Sequence, residues 1–123
     1  MILTLSGFSR VLCVAGALLV TPLAFAHAHL KAQIPAANAE VTPPQVLMLN
    51  FSEGIEPKFS GLTLTNAAKQ TVKTGTASRS KEDNAQLVVP VEQELQPGNY
   101  TVDWHVVSVD GHKTRGTYSF TVK

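Results

Sequence analysis

The chain has 123 residues, with ten lysines and arginines, nine aspartates and glutamates, and a single cysteine. This length fits one small domain, and the formal net charge of +1 lacks the strong basic excess typical of proteins that bind nucleic acid or anionic membranes. A lone cysteine excludes a disulfide framework.

The first 26 residues are predicted to form a cleavable secretory signal peptide. Arg10 precedes a mostly apolar run over residues 11–23, and the small-x-small pattern Ala-Phe-Ala follows at 24–26. The apolar run is shorter than the about 20 residues that a membrane-spanning helix needs. Cys13 lies inside this run without a small residue before it, so no lipid anchor is expected.

Cleavage after Ala26 would make His27 the first residue of a mature domain over residues 27–123. Without Arg10, nine basic residues balance nine acidic ones, so the mature net charge is about zero with neutral histidines. All four histidines, at positions 27, 29, 105 and 112, stay in this cysteine-free domain. They are the first indication of metal chemistry.

The mature sequence predicts an all-β sandwich of seven strands. Short alternating or β-branched stretches recur about every ten residues between clusters of Pro, Gly, Asn and Ser. No segment sustains a helical period, and only a single turn near 54–59 is allowed. The strands are expected near residues 28–34, 45–52, 61–66, 69–74, 85–91, 99–107 and 115–122, and the polar segment 75–84 is expected to be a mobile loop.

Two strands near the end of the chain show the clearest alternation. The first places Trp104 on an apolar core face and His105 on the opposite, polar face, where a surface or inter-strand role is expected. The second places Tyr118, Phe120 and Val122 in the core, and the pair presents the turn 109–113 at one end of the sandwich. Pro90, which lacks an amide proton, predicts an edge or a bulge in its own strand.

An N-terminal histidine can bind one metal ion twice, through its α-amine and its imidazole. Cu(II) suits such a site best, because it heads the affinity series for nitrogen ligands and accepts a tetragonal set of nitrogen and oxygen donors. The amine has an ordinary pKa of about 7.7–8.0, so binding must displace a proton and weakens as the pH falls.

The turn Asp110-Gly111-His112 offers a carboxylate and an imidazole two residues apart. The intervening glycine lets the backbone fold so that both side chains converge. With His27 they would supply three nitrogens and one oxygen. The alternative is an ordinary Asp-Gly turn with a solvated histidine.

Three stretches resemble the CopC family of periplasmic copper-resistance proteins. They are His-Ala-His-Leu at 27–30, Asn-Phe-Ser-Glu-Gly-Ile-Glu-Pro-Lys-Phe-Ser-Gly at 50–61, and Pro-Gly-Asn-Tyr-Thr-Val-Asp-Trp-His-Val-Val-Ser-Val-Asp-Gly-His at 97–112. The resemblance spans the whole mature domain. It implies a Greek-key β-sandwich of immunoglobulin-like or cupredoxin-like type, and a periplasmic location.

The resemblance also implies a ligand set and a role. Cu(II) would be bound by the amine and imidazole of His27 together with Asp110 and His112. Glu53 matches a family position near the copper, as a hydrogen-bond partner of a ligand or a weak axial oxygen. The implied function is a periplasmic Cu(II)-binding protein that sequesters or carries copper, in copper homeostasis or resistance, and delivers it to a CopD-type integral membrane partner.

One departure from the family concerns sulfur. Members that also bind Cu(I) carry a methionine-rich loop, whereas the corresponding residues 66–73 contain no methionine here. Met48, the only sulfur of the mature chain, lies among apolar neighbours and is expected in the core. No dedicated Cu(I) site is predicted.

His29 permits a competing copper arrangement. The α-amine, two deprotonated backbone amides and the imidazole of the third residue can wrap Cu(II) in a plane, using only residues 27–29. This mode needs a free N-terminal segment, whereas Leu30, Ala32 and Ile34 are expected to pack into the sandwich. His29 is otherwise expected to be an auxiliary ligand.

Two other functions are compatible with a leading histidine. One is a copper-brace enzyme for oxidative polysaccharide cleavage, which is disfavoured because Asp110 would fill the open position that oxygen needs. The other is a non-metal immunoglobulin-like accessory domain, since sandwiches host many functions. No nucleophile-base pair or phosphate loop supports a hydrolase, so the protein is not expected to be an enzyme.

Overall fold

The computed structural model describes residues 28–123; the predicted signal peptide and His27 lie outside the described residues. These residues contain nine strands and one short 3₁₀ helix, Pro57–Phe59. The strands are β1 (Leu30–Ile34), β2 (Glu40–Val41), β3 (Val46–Phe51), β4 (Gly61–Thr65), β5 (Thr71–Val72), β6 (Ser78–Arg79), β7 (Gln86–Pro90), β8 (Gly98–Val107) and β9 (Lys113–Val122). No helix of this part of the chain is long and apolar enough to cross a membrane.

Two sheets form the sandwich, which confirms the all-β prediction. One has the strand order β1-β3-β7-β6 and the other β2-β9-β8-β4-β5. The additional strands are β2, which pairs parallel to β9, and β6, which pairs antiparallel to β7; both have two residues. Because β6 lies within the polar segment 75–84, the prediction of a loop throughout that segment was wrong.

The core lies between the sheets, where alternate side chains of each strand face inward. Trp104 meets the ring of Phe51 edge to face, with ring centroids 5.2 Å apart. Tyr100 stacks on Phe120 at 5.7 Å. The first pair joins the two sheets, and the second joins neighbouring strands of one sheet. Since the inward-facing residues of β8 and β9 are buried, their predicted core face is confirmed.

A β-bulge in β1 overturns one prediction. The register against β3 shifts between Leu30 and Ala32. Leu30 packs against the core, but Ala32 is exposed and Ile34 is 60% exposed. An extra residue in a strand exchanges the two faces for every residue beyond it, which is why the simple alternation failed here.

Met48 is also not a core residue. Leu47 and Leu49 on either side of it are fully buried, so Met48 points to the outer face of the four-stranded sheet and is half-buried. An uninterrupted apolar run does not reveal which of its residues face inward.

The prediction of an edge or a bulge at Pro90 is met by a bulge-like irregularity. β7 lies between β3 and β6, but the pairs Ser78–Val88 and Thr74–Val91 enclose three residues on one side and two, including Pro90, on the other. The two residues of β6 pair only with Leu87 and Val88, and Pro90 is the last residue of β7. Its carbonyl accepts a hydrogen bond from the amide of Gly75 at 2.8 Å. The missing amide proton is therefore placed where the ladder with β6 has already ended.

The stability of the domain is expected to respond differently to the loss of two buried tyrosine hydroxyls. Tyr100 donates to the carbonyl of Gln96 at 2.7 Å, whereas the buried hydroxyl of Tyr118 has no hydrogen-bond partner within residues 28–123. Burial raises the pKa of Tyr118 to about 12. We expect Tyr118→Phe to leave the free energy of unfolding unchanged or raise it by up to about 1 kcal/mol, and Tyr100→Phe to lower it by about 1 kcal/mol. Urea unfolding measures both, and equal destabilisation by the two variants would contradict the assignment.

Candidate metal centre

The turn 108–112 joins β8 to β9 at one end of the sandwich and is held by a buried serine. The Ser108 amide donates to the carbonyl of His112 at 2.9 Å, and the Gly111 amide donates to the carbonyl of Ser108 at 2.8 Å. Ser108 is completely buried, and its hydroxyl donates a hydrogen bond to Oδ1 of Asp110. Gly111 has a φ of +92°, a conformation that side chains disfavour, so glycine suits this sharp reversal.

Asp110 and His112 come together as predicted. The Nδ1 atom of His112 lies 3.1 Å from Oδ1 of Asp110, and each side chain is 45% exposed. Two ligands of one metal ion, bonded at about 2.0–2.1 Å and at right angles, are about 2.9 Å apart. The observed contact is a hydrogen bond in the absence of metal, and its length is close to that value. Since solvent reaches both groups, a metal ion that replaces the shared proton could take both atoms as adjacent ligands.

The carboxylate is also prepared electrostatically. The hydrogen bond from the Ser108 side chain, followed by the hydrogen bonds and charge of His112, holds the pKa of Asp110 below its ordinary value against the opposing effect of desolvation. Aspartate is ionised at neutral pH in any case, and the lowered pKa keeps this carboxylate available as an anionic ligand to a more acidic pH than an ordinary aspartate.

The start of the described chain is fixed beside this turn. Ala28 is buried, and its carbonyl accepts a hydrogen bond at 3.1 Å from the hydroxyl of Thr114, two residues after His112. Ser52 holds the backbone of His29 through two hydrogen bonds. The His29 amide donates to the Ser52 hydroxyl at 2.8 Å, and the His29 carbonyl accepts from the Ser52 amide at 2.8 Å.

These contacts oppose the competing planar copper arrangement. That arrangement would deprotonate the His29 amide, which here is a hydrogen-bond donor to Ser52. It would also need an unconstrained segment, whereas Ala28 is 1% exposed and belongs to the core. Forming it would therefore require release of the first described residues from the sandwich.

Glu53 lies between the two halves of the candidate centre. Ser52, before it, bonds the His29 backbone, and the carbonyl of Gly54, after it, accepts the amide of Val109 at 3.0 Å. The segment 52–54 thus connects the N-terminal residues to the turn. A position of the Glu53 side chain near a metal stays a prediction.

The remaining predicted residues are not gathered into one cluster. Within residues 28–123, no three His, Cys, Asp or Glu side chains form a group that could hold a metal ion. Asp110 and His112 are therefore a pair, and neither His29 nor Glu53 completes a triad with them. His105 is an exposed residue of β8 on the outer face of its sheet, paired with Arg115, as the surface prediction requires.

Ser108 is the functional residue that the sequence did not reveal. Its hydrogen bond to Asp110 is local, but its complete burial arises only when the strands assemble. The available signal was a hydroxyl residue two positions before an Asp-Gly turn, a spacing that allows local side-chain hydrogen bonds.

Residues 30–123 match the model of the CopC domain. The chain belongs to the CopC family, which confirms the resemblance seen in its motifs.

The relatives extend along nearly the whole domain. Protein YobA of Escherichia coli K12 is 58% identical over 106 residues, which cover 85% of this chain and 86% of that protein. Copper resistance protein C of Escherichia coli is 38% identical over 110 residues, covering 81% of this chain and 84% of that protein. The crystal structure of PcoC, a methionine-rich copper resistance protein from Escherichia coli, superposes with a TM-score of 0.72 at 37% identity, covering 80% of this chain and 100% of that one.

Proposed function

We propose that the mature protein, residues 27–123, is a periplasmic Cu(II)-binding protein that sequesters or carries copper. The observation that carries this proposal is the Asp110–His112 pair, with its donor atoms 3.1 Å apart and accessible to solvent. Relatives named as copper resistance proteins at 33–38% identity make copper the metal to consider first.

His27 is proposed to complete the ligand set with its α-amine and imidazole. Signal-peptide cleavage after Ala26 would create that amine. His27 is covalently joined to Ala28, whose carbonyl is bonded to Thr114, and consecutive Cα atoms are about 3.8 Å apart. The hydrogen bond that anchors Ala28 next to the turn thus supports the proposal that His27, Asp110 and His112 bind one metal ion.

The proposed oxidation state follows from the donor types. Imidazole, amine and carboxylate favour Cu(II), whereas Cu(I) prefers thiolate and thioether sulfur. The mature chain contains one sulfur atom, that of Met48, on β3 of the other sheet from the one that carries the turn. PcoC, in contrast, is a methionine-rich protein.

We assign the protein a binding role rather than a catalytic one. The ionised Asp110 would be a charged ligand that stabilises Cu(II) against reduction, which disfavours oxygen activation. The proposed recipient of the copper is an integral membrane protein of the CopD type. His29 and Glu53 are proposed as neighbours of the centre rather than principal ligands.

Titration of purified 27–123 with Cu(II) against a competing chelator tests this function. We expect one equivalent to bind tightly at pH 8 and the apparent affinity to fall as the pH drops to 6, because protons compete for the amine and the imidazoles. Cu(I) titrated in the same way is expected to bind more weakly. Absence of tight Cu(II) binding at pH 8 would refute the proposal.

A further inference from the structure

An open groove lies on the outer face of the five-stranded sheet, next to the turn 108–112. Its volume is about 670 Å³, and its lining includes Phe59, His105, Val107, Lys113 and Arg115. The backbone register pairs His105 with Arg115 and Val107 with Lys113, so these four side chains project from the same face of the β8–β9 pair.

The charged residues of this groove are all basic. Lys113 and Arg115 lie two positions apart on β9, and both are exposed. The next outward-facing residue along β8 is Asp103, whose carboxylate lies outside the lining and accepts a hydrogen bond from Thr117 at 2.7 Å. Because the chain as a whole has nearly equal numbers of acidic and basic residues, this basic surface reflects local segregation.

The groove also has an apolar wall that is held in place. Phe59 is 66% exposed, although it is among the largest apolar side chains of the domain. The adjacent Ser60 fixes the 3₁₀ helix to the sheet: its hydroxyl donates to the carbonyl of Glu56 at 2.7 Å and accepts the amide of Val107 at 3.0 Å. The exposed ring is therefore displayed on a rigid support instead of a loose loop, which favours recognition.

We propose that this groove is the docking surface for a partner protein, which inserts an acidic segment carrying at least one large apolar side chain. Carboxylates would pair with Lys113 and Arg115, and the apolar side chain would cover Phe59. The concave shape favours a protruding segment over a flat lipid surface. Since Lys113 directly follows His112, the docked partner would lie beside the proposed metal centre. That location beside a metal rests on the proposed function, whereas the docking of a partner in the groove does not.

Binding of a synthetic probe tests the surface. The probe is a fluorescent peptide with a Leu-Phe centre flanked by two acidic residues on each side, and its control has lysines in place of the acidic residues. We expect fluorescence anisotropy to show saturable binding of the acidic peptide alone, weakening as salt rises because the charges are exposed. Backbone NMR shifts should map to residues 58–60, 105–107 and 113–115.

Matched variants separate this surface from general charge effects. The Lys113→Glu/Arg115→Glu protein should bind the acidic peptide at least about tenfold more weakly. The Lys31→Glu/Lys73→Glu protein, with the same change in net charge at exposed sites outside the groove, should bind it like the parent. Phe59→Ala should also weaken binding. His112→Ala should lose Cu(II) affinity but keep peptide binding, which makes this proposal separable from the metal site.

Three outcomes would overturn the docking proposal. They are equal weakening by the two double-charge variants, NMR shifts that map away from the groove, and binding to vesicles of anionic phospholipid without any binding of the acidic peptide. The last result would assign the basic and aromatic residues to a membrane surface instead.

Discussion

Replacing His112 with alanine is expected to lower the affinity for Cu(II) at least about 100-fold. Loss of a residue that only supports a metal ligand typically lowers the metal affinity 10–100-fold. Loss of a ligand itself should therefore lower it at least as much. The imidazole lies 3.1 Å from Asp110 at an accessible turn, so its removal takes away one of the two donor groups that the structure brings together. Competition titration of the purified variant measures the change.

His105→Ala is the matched control for this variant. It removes an exposed imidazole from the same hairpin, on the outer face of the sheet, and should change the Cu(II) affinity less than threefold. Equal losses in the two variants would contradict the assignment of His112. A loss with His29→Ala as large as that with His112→Ala would favour the competing arrangement on residues 27–29.

The second large effect concerns stability. Gly116 lies opposite Trp104 in the β8–β9 register, and a Cβ atom at this position would lie 2.6 Å from Cζ2 of the indole. Because the indole is 8% exposed and packs against Phe51, it has little space to move. We expect Gly116→Ala to lower the free energy of unfolding by about 1–3 kcal/mol, a typical cost of overpacking a core. Urea unfolding followed by tryptophan fluorescence measures it.

Gly61→Ala provides the comparison. The added Cβ would lie 3.4 Å from Cε1 of His105, whose exposed ring can move aside. We expect a change within about 0.5 kcal/mol at this position. If Gly116→Ala proves as mild as Gly61→Ala, the indole does not pack against β9 as described.

The alternation of apolar and polar residues predicted which side chains face the core in strands with one buried face. It failed in an all-apolar run and beyond a β-bulge. In β8, Trp104 and His105 lie on the faces that the sequence indicates, because apolar and polar residues alternate from Tyr100 to Val106. Met48 lies in an apolar run that carries no such signal. Ile34 follows a bulge, which sequence pattern does not encode, so its face was assigned wrongly.

Local chemistry predicted half of the candidate site, and long-range contacts determined the rest. Asp110 and His112 converge because Gly111 permits a tight reversal between them, a property of three consecutive residues. The location of Glu53 depends instead on hydrogen bonds of its neighbours to segments 23 or more residues away along the chain. Such contacts require both sheets to be assembled.

A free α-amine at His27 is proposed to help hold Cu(II). This proposal is tested most directly by comparing residues 27–123 with the same protein extended by one alanine before His27, using chelator competition and EPR. A C-terminal alanine extension is the control. We predict that the N-terminal extension lowers Cu(II) affinity at least about 100-fold and changes the nitrogen hyperfine pattern. An affinity and a spectrum identical to those of the unextended protein would show that the α-amine of His27 is not a ligand.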